Sequence, residues 1–308
     1  MRWIHYGLVI GCIFSNQLLY AQPQHANVEH LKTFVSQIVG PMQYPRHGKH
    51  PDELDRSAAW LKEQMRLFSI PCDYQNYIVN QKQYRNVVCH LNVGRTDKVI
   101  VGAHYDAKFD QHGINDNASG VAAVLETAYL LSQNPNKLKH NVDFVFYTLS
   151  TPPYRKSDNM GSLRHAKSIA QEKETIQGVY IFDQIGFYDT DAVQEYPQGL
   201  NWLYPSHANF IAAASDLNSR QLASRYCQSM QHLDDLECEQ FSLPIVNIFE
   251  YSDHQSYWKY DIPAILITDT GTYRNKNRYR AEVEFKRLNY GKMAAVVNGM
   301  ILTLQEQP

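Results

Sequence analysis

Apolar residues recur every three to four positions in two stretches near the start of the chain, first Val28, Leu31, Val35 and Ile38, then Ala58, Leu61, Met65 and Phe68. That period predicts two amphipathic helices within residues 26–69, separated by a loop rich in Pro, Gly and His at 40–51. Two strands are expected next, at 74–79 and 86–93, the second alternating as a sheet edge does. Beyond them, short apolar runs at 98–103, 142–149 and 178–183 read as buried strands, with helices between them at 117–131 and 161–171. Helices at 207–217 and 219–232, a core strand at 262–267 and an amphipathic closing helix at 288–304 complete the pattern. Alternation of buried strand and helix predicts a mainly parallel sheet covered on both faces. With no repeat, linker or low-complexity tract, one domain over 22–308 is the economical organisation.

The first residues change the picture of where the chain works. Arg2 precedes a mostly apolar run that ends at small Ala21, the pattern of a secretory signal over residues 1–21. Asn16 and Gln17 interrupt the run, which therefore falls short of the roughly 20 apolar residues a spanning helix needs. The expectation is a secreted or periplasmic protein, with Val9-Ile10-Gly11-Cys12 offering a lipoprotein cleavage box as a minor alternative. Loss of the signal leaves Cys72, Cys89, Cys227 and Cys238, an even number in an oxidising compartment. Of the three possible pairings the local ones are favoured, Cys72 with Cys89 and Cys227 with Cys238, against the alternative of buried free thiols. No Cys-x-x-Cys spacing indicates a thiolate zinc site.

Composition then removes several function classes. With 44% hydrophobic and 19% charged residues among 308, and only 15 Gly and 13 Pro, disorder, collagen and coiled coil are excluded. The formal net charge is −2, so the chain has no basic field of the kind that supplies nucleic-acid affinity. Nucleic acid is not an expected partner, and oligomeric state is not legible.

Candidate chemistry gathers where such sheets bind ligands, outside the carboxyl ends of the strands. His104-Tyr105-Asp106 follows one strand, Asn115-Asp116-Asn117-Ala118-Ser119-Gly120 opens a helix, Asp183-Gln184-Ile185-Gly186 follows another strand, and Ser252-Asp253-His254 precedes the core strand at 262. Two imidazoles and two carboxylates at adjacent strand ends suit one or two zinc-like ions. The candidate ligands are His104, Asp116, Asp183 and His254. Asp106 is the candidate orienter of the His104 ring and hence the catalytic carboxylate, and Tyr251 is the candidate substrate contact. Each has a plainer alternative: a hydrogen-bonded histidine, a helix cap, a strand end or a loop residue.

Taken in this order, Gly-Ala-His104-Tyr-Asp106, the run 115–121, Asp183-x-Ile-Gly186 and Ser252-Asp253-His254 resemble the secreted di-zinc aminopeptidases, relatives of the glutaminyl cyclases, over roughly residues 50–305. The resemblance implies a three-layer α/β/α sandwich with a mainly parallel central sheet, the phosphorylase/hydrolase-like zinc exopeptidase fold. It also implies that His104 and Asp183 hold one zinc, that Asp116 bridges two, that His254 holds the other, and that the substrate is a peptide or protein N-terminus.

The chain departs from that family where the chemistry is most demanding. The family carries two adjacent glutamates after the strand at 142–149, a general base and a ligand of the His254-side zinc; here Ser150-Thr151 stand in their place. Arg278-Tyr279-Arg280 likewise replace the Tyr-His-Thr usually found before the last helix. One tight zinc is therefore expected and a second weak or absent, with Asp158 or Glu250 the nearby carboxylates available as replacements. Two function classes follow: a metal-dependent aminopeptidase-like hydrolase impaired by these losses, and an inactive pseudo-peptidase that binds a peptide or protein in the old cleft.

Overall fold

The computed structural model describes residues 25–40, 46–109, 111–196, 200–242, 251–275 and 281–305. The signal-like segment, Cys12, Ala21, Glu250 and Arg278-Tyr279-Arg280 lie outside the described residues. No helix among the described residues is long and apolar enough to cross a membrane.

Both early helices form as the apolar spacing requires. Helix α1 (Val28–Val39) starts where the Asn27 side chain accepts from the amides of Glu29 and His30, and ends at Gly40, whose φ of 64° suits glycine. Helix α2 (Pro51–Leu67) opens on a proline with Asp52 and Glu53 in its first turn and has Arg66 in its last. Strands β1 (Cys72–Val79) and β2 (Lys82–Leu91) form an antiparallel hairpin in which Cys72 faces Cys89 across the register. Those two cysteines are bonded, and so are Cys227 and Cys238, in the pairings expected from the sequence.

The chain then alternates as the pattern demands: β3 (Lys98–His104), α3 (Ser119–Gln133), β4 (Asn141–Tyr147), α4 (Gly161–Ser168) and β5 (Ile176–Phe182). A short pair, β6 (Asp189–Val193) and β7 (His207–Ala208), stands apart from the main sheet. Next come β8 (Phe210–Ser215), α5 (Arg220–Leu233), β9 (Glu237–Ser242), α6 (His254–Trp258), β10 (Ala264–Thr268), α7 (Ala281–Arg287) and α8 (Tyr290–Gln305). The eight-stranded sheet runs β1-β2-β4-β3-β5-β10-β8-β9, with parallel pairing of β4 to β3, β3 to β5, β5 to β10 and β8 to β9. Alternate residues of one strand serve opposite cores: Val99, Val101 and Ala103 pack with α1, α3 and α8, while Ile100 packs with Ala166 and Tyr257 of α4 and α6. This is the three-layer α/β/α arrangement.

One expected element is corrected. The helix expected over 207–217 is instead β7 and β8, because Phe210-Ile-Ala-Ala-Ala-Ser215 is buried along its whole length between β10 and β9. Its alanines favour a helix by propensity, yet a short run buried on both faces fits an interior strand, and tertiary context wins. The closing helix α8 is also apolar nearly all round, from Met293 to Leu304, because α3 and α5 both pack on it.

Candidate metal centre

His104 is the last residue of β3, and Asp183 follows β5 directly, so the parallel pairing of these strands sets them side by side. Asp116 reaches the same place from the wide turn Ile114–Ala118 that leads into α3, where the Asp116–Asn117 peptide is cis. The flanking polar residues explain the position. Asn115 Nδ2 donates to Asp269 and its Oδ1 accepts from Gly186 N, while Asn117 Nδ2 donates to Phe182 O and its Oδ1 accepts from Gln184 N. Ser119 Oγ accepts from Ile185 N. The turn carrying Asp116 is thereby stitched to the segment carrying Asp183. Gly120 is required because a Cβ there would meet the Phe182 carbonyl at 2.6 Å.

The three candidate ligands converge with no partner between them. His104 Nε2 lies 3.3 Å from Asp116 Oδ1 and 3.5 Å from Asp183 Oδ1, and the ligand atoms of the trio are all within 4.8 Å of one another. All three residues are buried, yet His104 Nε2, Asp116 Oδ1 and Asp183 Oδ1 make no hydrogen bond. Buried polar atoms are nearly always satisfied, so three orphans facing one another mark a place shaped for something else. One imidazole nitrogen and two carboxylate oxygens form a donor set that fits zinc.

Neighbouring groups aim each ligand. His104 Nδ1 lies 3.0 Å from the Asp106 carbonyl oxygen; a carbonyl only accepts, so Nδ1 carries a proton, and in the neutral form Nε2 presents its lone pair. The sequence reading expected the Asp106 carboxylate in that role, but it stands farther off at 3.5 Å. Its bonds go to the chain after β4: Oδ1 accepts from Ser150 N, and Oδ2 accepts from Thr151 N and, at 2.6 Å, from Thr151 Oγ1. Ser252 Oγ donates to Asp183 Oδ2 at 2.6 Å, leaving Oδ1 turned toward His104. Ser150 Oγ donates to Asp253 Oδ1 at 2.6 Å, while Asp253 Oδ2 is buried and unpartnered.

Charges shift these groups in opposite senses. Burial opposes a charged His104, but Asp183 and the contacts to Asp106 and Asp116 outweigh it and hold the imidazole well above its usual pKa. Burial likewise pushes Asp116 up, and Lys108, His104 and Arg155 overcome it, leaving that carboxyl below its ordinary range. Asp253 is pushed up to about 6 by burial, only partly offset by His104, Ser150 and Ser162.

The remaining sequence candidates lie at the margin. His254 is buried at the start of α6 but outside the convergent trio; its ring stands edge-on to Trp258 and its Nδ1 has no partner. Burial lowers its pKa to about 3, against the pull of Asp183. Tyr251 is half-buried with the Lys156 ammonium 5.7 Å over its ring, and Asp158 is exposed on the turn nearby. Two features escaped the sequence reading. Arg46, buried, donates to the carbonyls of Ile38, Tyr105, His112 and Gly113 and so clamps the loop after β3. Lys108, on that loop, places its ammonium 2.8 Å from Asp116 Oδ2.

The model of Peptidase family M28 matches residues 86–298, which include every candidate ligand. The chain belongs to that family. It is 34% identical over 297 residues to Uncharacterized protein YfbL of Escherichia coli (strain K12), covering 93% of this chain and 90% of that one. Its fold is similar to that of the Legionella pneumophila LapA aminopeptidase, with a TM-score of 0.71 at 16% identity over 92% of this chain and 73% of that one. A Zn-dependent exopeptidase from Parabacteroides distasonis gives a TM-score of 0.66 at 16% identity, over 92% and 99% of the two chains. Within an M28 frame, Ser150 and Thr151 stand beside Asp106 with their hydroxyls turned to Asp253 and Asp106.

Proposed function

We propose that this M28 protein is a metal-dependent hydrolase of aminopeptidase type, acting on the N-termini of peptides, with turnover reduced because Ser150 and Thr151 supply no carboxylate. The observation that carries the reading is the convergence of unpartnered, buried His104 Nε2, Asp116 Oδ1 and Asp183 Oδ1. Zinc held by these three residues supplies Lewis acidity toward a scissile carbonyl. The chain's own groups do the rest. The Asp106 carbonyl holds the proton on His104 Nδ1, Ser252 aims Asp183, and Asp253 Oδ2 is the nearby carboxylate oxygen left without a partner to take a proton. A lost general base costs about 10² to 10⁴ in rate, so activity that far below an ordinary M28 aminopeptidase follows.

A second reading, an inactive pseudo-peptidase that binds a peptide in the old cleft, is favoured by one observation: both replacing hydroxyls are committed to structural bonds with buried carboxylates. Export of the mature chain to the periplasm or the medium is part of the same proposal, supported by the two disulfides and the signal-like first 21 residues. The deciding experiment measures bound zinc together with hydrolysis of a panel of aminoacyl substrates by the full chain and by His104→Ala. Slow turnover abolished in the variant supports the hydrolase. Zinc binding with no turnover on any substrate supports the pseudo-peptidase, and absence of bound zinc refutes the metal centre itself.

A further inference from the structure

Asp116 has one carboxylate oxygen for the trio and one for something else. Oδ1 lies 3.3 Å from His104 Nε2, whereas Oδ2 takes the Lys108 ammonium at 2.8 Å. Lys108 is not a loose surface cation: its side chain is 23% exposed, and it sits on the loop that Arg46 clamps through Tyr105, His112 and Gly113. Among the described residues, no other His, Asp, Glu or Cys joins Asp116 on the Oδ2 side to complete a set of three ligands. Ser150 and Thr151 spend their hydroxyls on Asp253 and Asp106 and leave Oδ2 untouched. A divalent ion bridged through Asp116 would have to occupy the space before Oδ2, where a positive charge already stands.

We infer that the Lys108 ammonium takes the place of a second metal ion, making this a centre with one exchangeable cation and one covalently attached cation that share Asp116. The inference rests on the reading of His104, Asp116 and Asp183 as ligands of one zinc. Lys108 is then a positioning residue that neutralises the outer oxygen of Asp116 and repels any further cation. Removing its charge without adding a ligand relieves repulsion on the first ion. A unit charge acting at close range on a divalent ion in a partly buried site is worth about tenfold or more in affinity.

The test titrates zinc chloride into the chelator-stripped full chain in competition with a chromophoric chelator, which reads stoichiometry and affinity without activity. The wild type and Lys108→Arg should each saturate at one equivalent. Lys108→Met should bind that equivalent at least tenfold more tightly, and Lys108→Glu, which adds a carboxylate beside Asp116, should admit a second. Two equivalents of comparable tightness in the wild type would overturn the inference, and so would unchanged affinity in Lys108→Met. No zinc uptake by the wild type would instead overturn the ligand reading beneath it. If Lys108→Glu fails to fold by circular dichroism, Lys108→Met carries the test, since it introduces no new charge.

Discussion

Placing glutamates at 150 and 151, the test that a resemblance to two-zinc aminopeptidases invites, should damage the protein. Ser150 Oγ and Thr151 Oγ1 each donate a 2.6 Å bond to a buried carboxylate, Asp253 and Asp106 respectively. Ser150→Glu with Thr151→Glu deletes both bonds, each worth roughly 1.5–3 kcal/mol because the acceptor is charged. It also sets two new carboxylates against the old ones; at about 4 Å and an effective dielectric near 20, each like-charge pair costs about 4 kcal/mol. Their sum is a large part of the roughly 5–15 kcal/mol that holds a typical domain together. At about 2 °C per kcal/mol for a chain of this size, the double variant should melt roughly 10 °C or more below wild type. The sign with pH is fixed as well. Crowded carboxylates have raised pKa values in the folded state, so protonation relieves them, and the deficit should widen from pH 5 to pH 8. Moving the charge rather than adding one, by Ser150→Glu with Asp253→Ser, should recover much of the loss. Differential scanning fluorimetry across pH, with zinc titration alongside, measures all of this. A Ser150→Glu, Thr151→Glu protein that melts within 2 °C or so of wild type and takes up a second zinc would refute the reasoning.

Three further outcomes follow. Ser252→Ala, which removes the bond aiming Asp183, should weaken zinc binding by about 10- to 100-fold with the melting temperature little changed; equal affinity in the chelator competition would show that Asp183 is aimed by something else. His165 is buried, bonded to Tyr257 OH and depressed to about 4 by burial, so the unfolded chain takes the proton first. Stability should therefore fall as pH drops from about 6.5 to about 4, by roughly 3 kcal/mol, and a denaturation profile that keeps its slope in His165→Gln would rule this out. Each disulfide closes a short loop, 17 and 11 residues in sequence separation, worth about 3 kcal/mol in the chain-entropy account; peptide mapping that finds Cys72 joined to Cys227 would contradict the fold of both segments.

The local pattern was legible where each element carried its own signal. The stripe of α1 and α2, the buried runs of β3, β4 and β5, and the paired cysteines of the hairpin are written in neighbouring residues. Legibility failed where burial came from distant chain. Phe210–Ser215 looked helical because alanine says nothing about the strands on either side, and β9, Glu-Cys-Glu-Gln-Phe-Ser, is a polar sheet edge without clear alternation. The same division holds at the candidate site. His104, Asp116 and Asp183 stand at strand and turn ends that topology brings together. The partners that aim them, Ser252, Asp253, Asp269 and Arg46, are set by contacts across tens of residues, and no spacing rule records those.

Charge balance supports the single zinc proposed for these residues. Four buried carboxylates, on Asp106, Asp116, Asp183 and Asp253, share the region with His104. Three permanent cations act on the same group: Arg46 on Asp106 and Asp116, and Lys108 and Arg155 on Asp116. With His104 neutral, as a metal ligand must be, these side chains together carry a single net negative charge. One divalent ion over-balances it by one positive charge, a small excess that water and the surrounding dipoles can screen. A second divalent ion would leave three uncompensated positive charges in a partly dry cleft, where each close like-charge pair costs several kcal/mol. That balance supports the proposal of a single zinc at His104, Asp116 and Asp183.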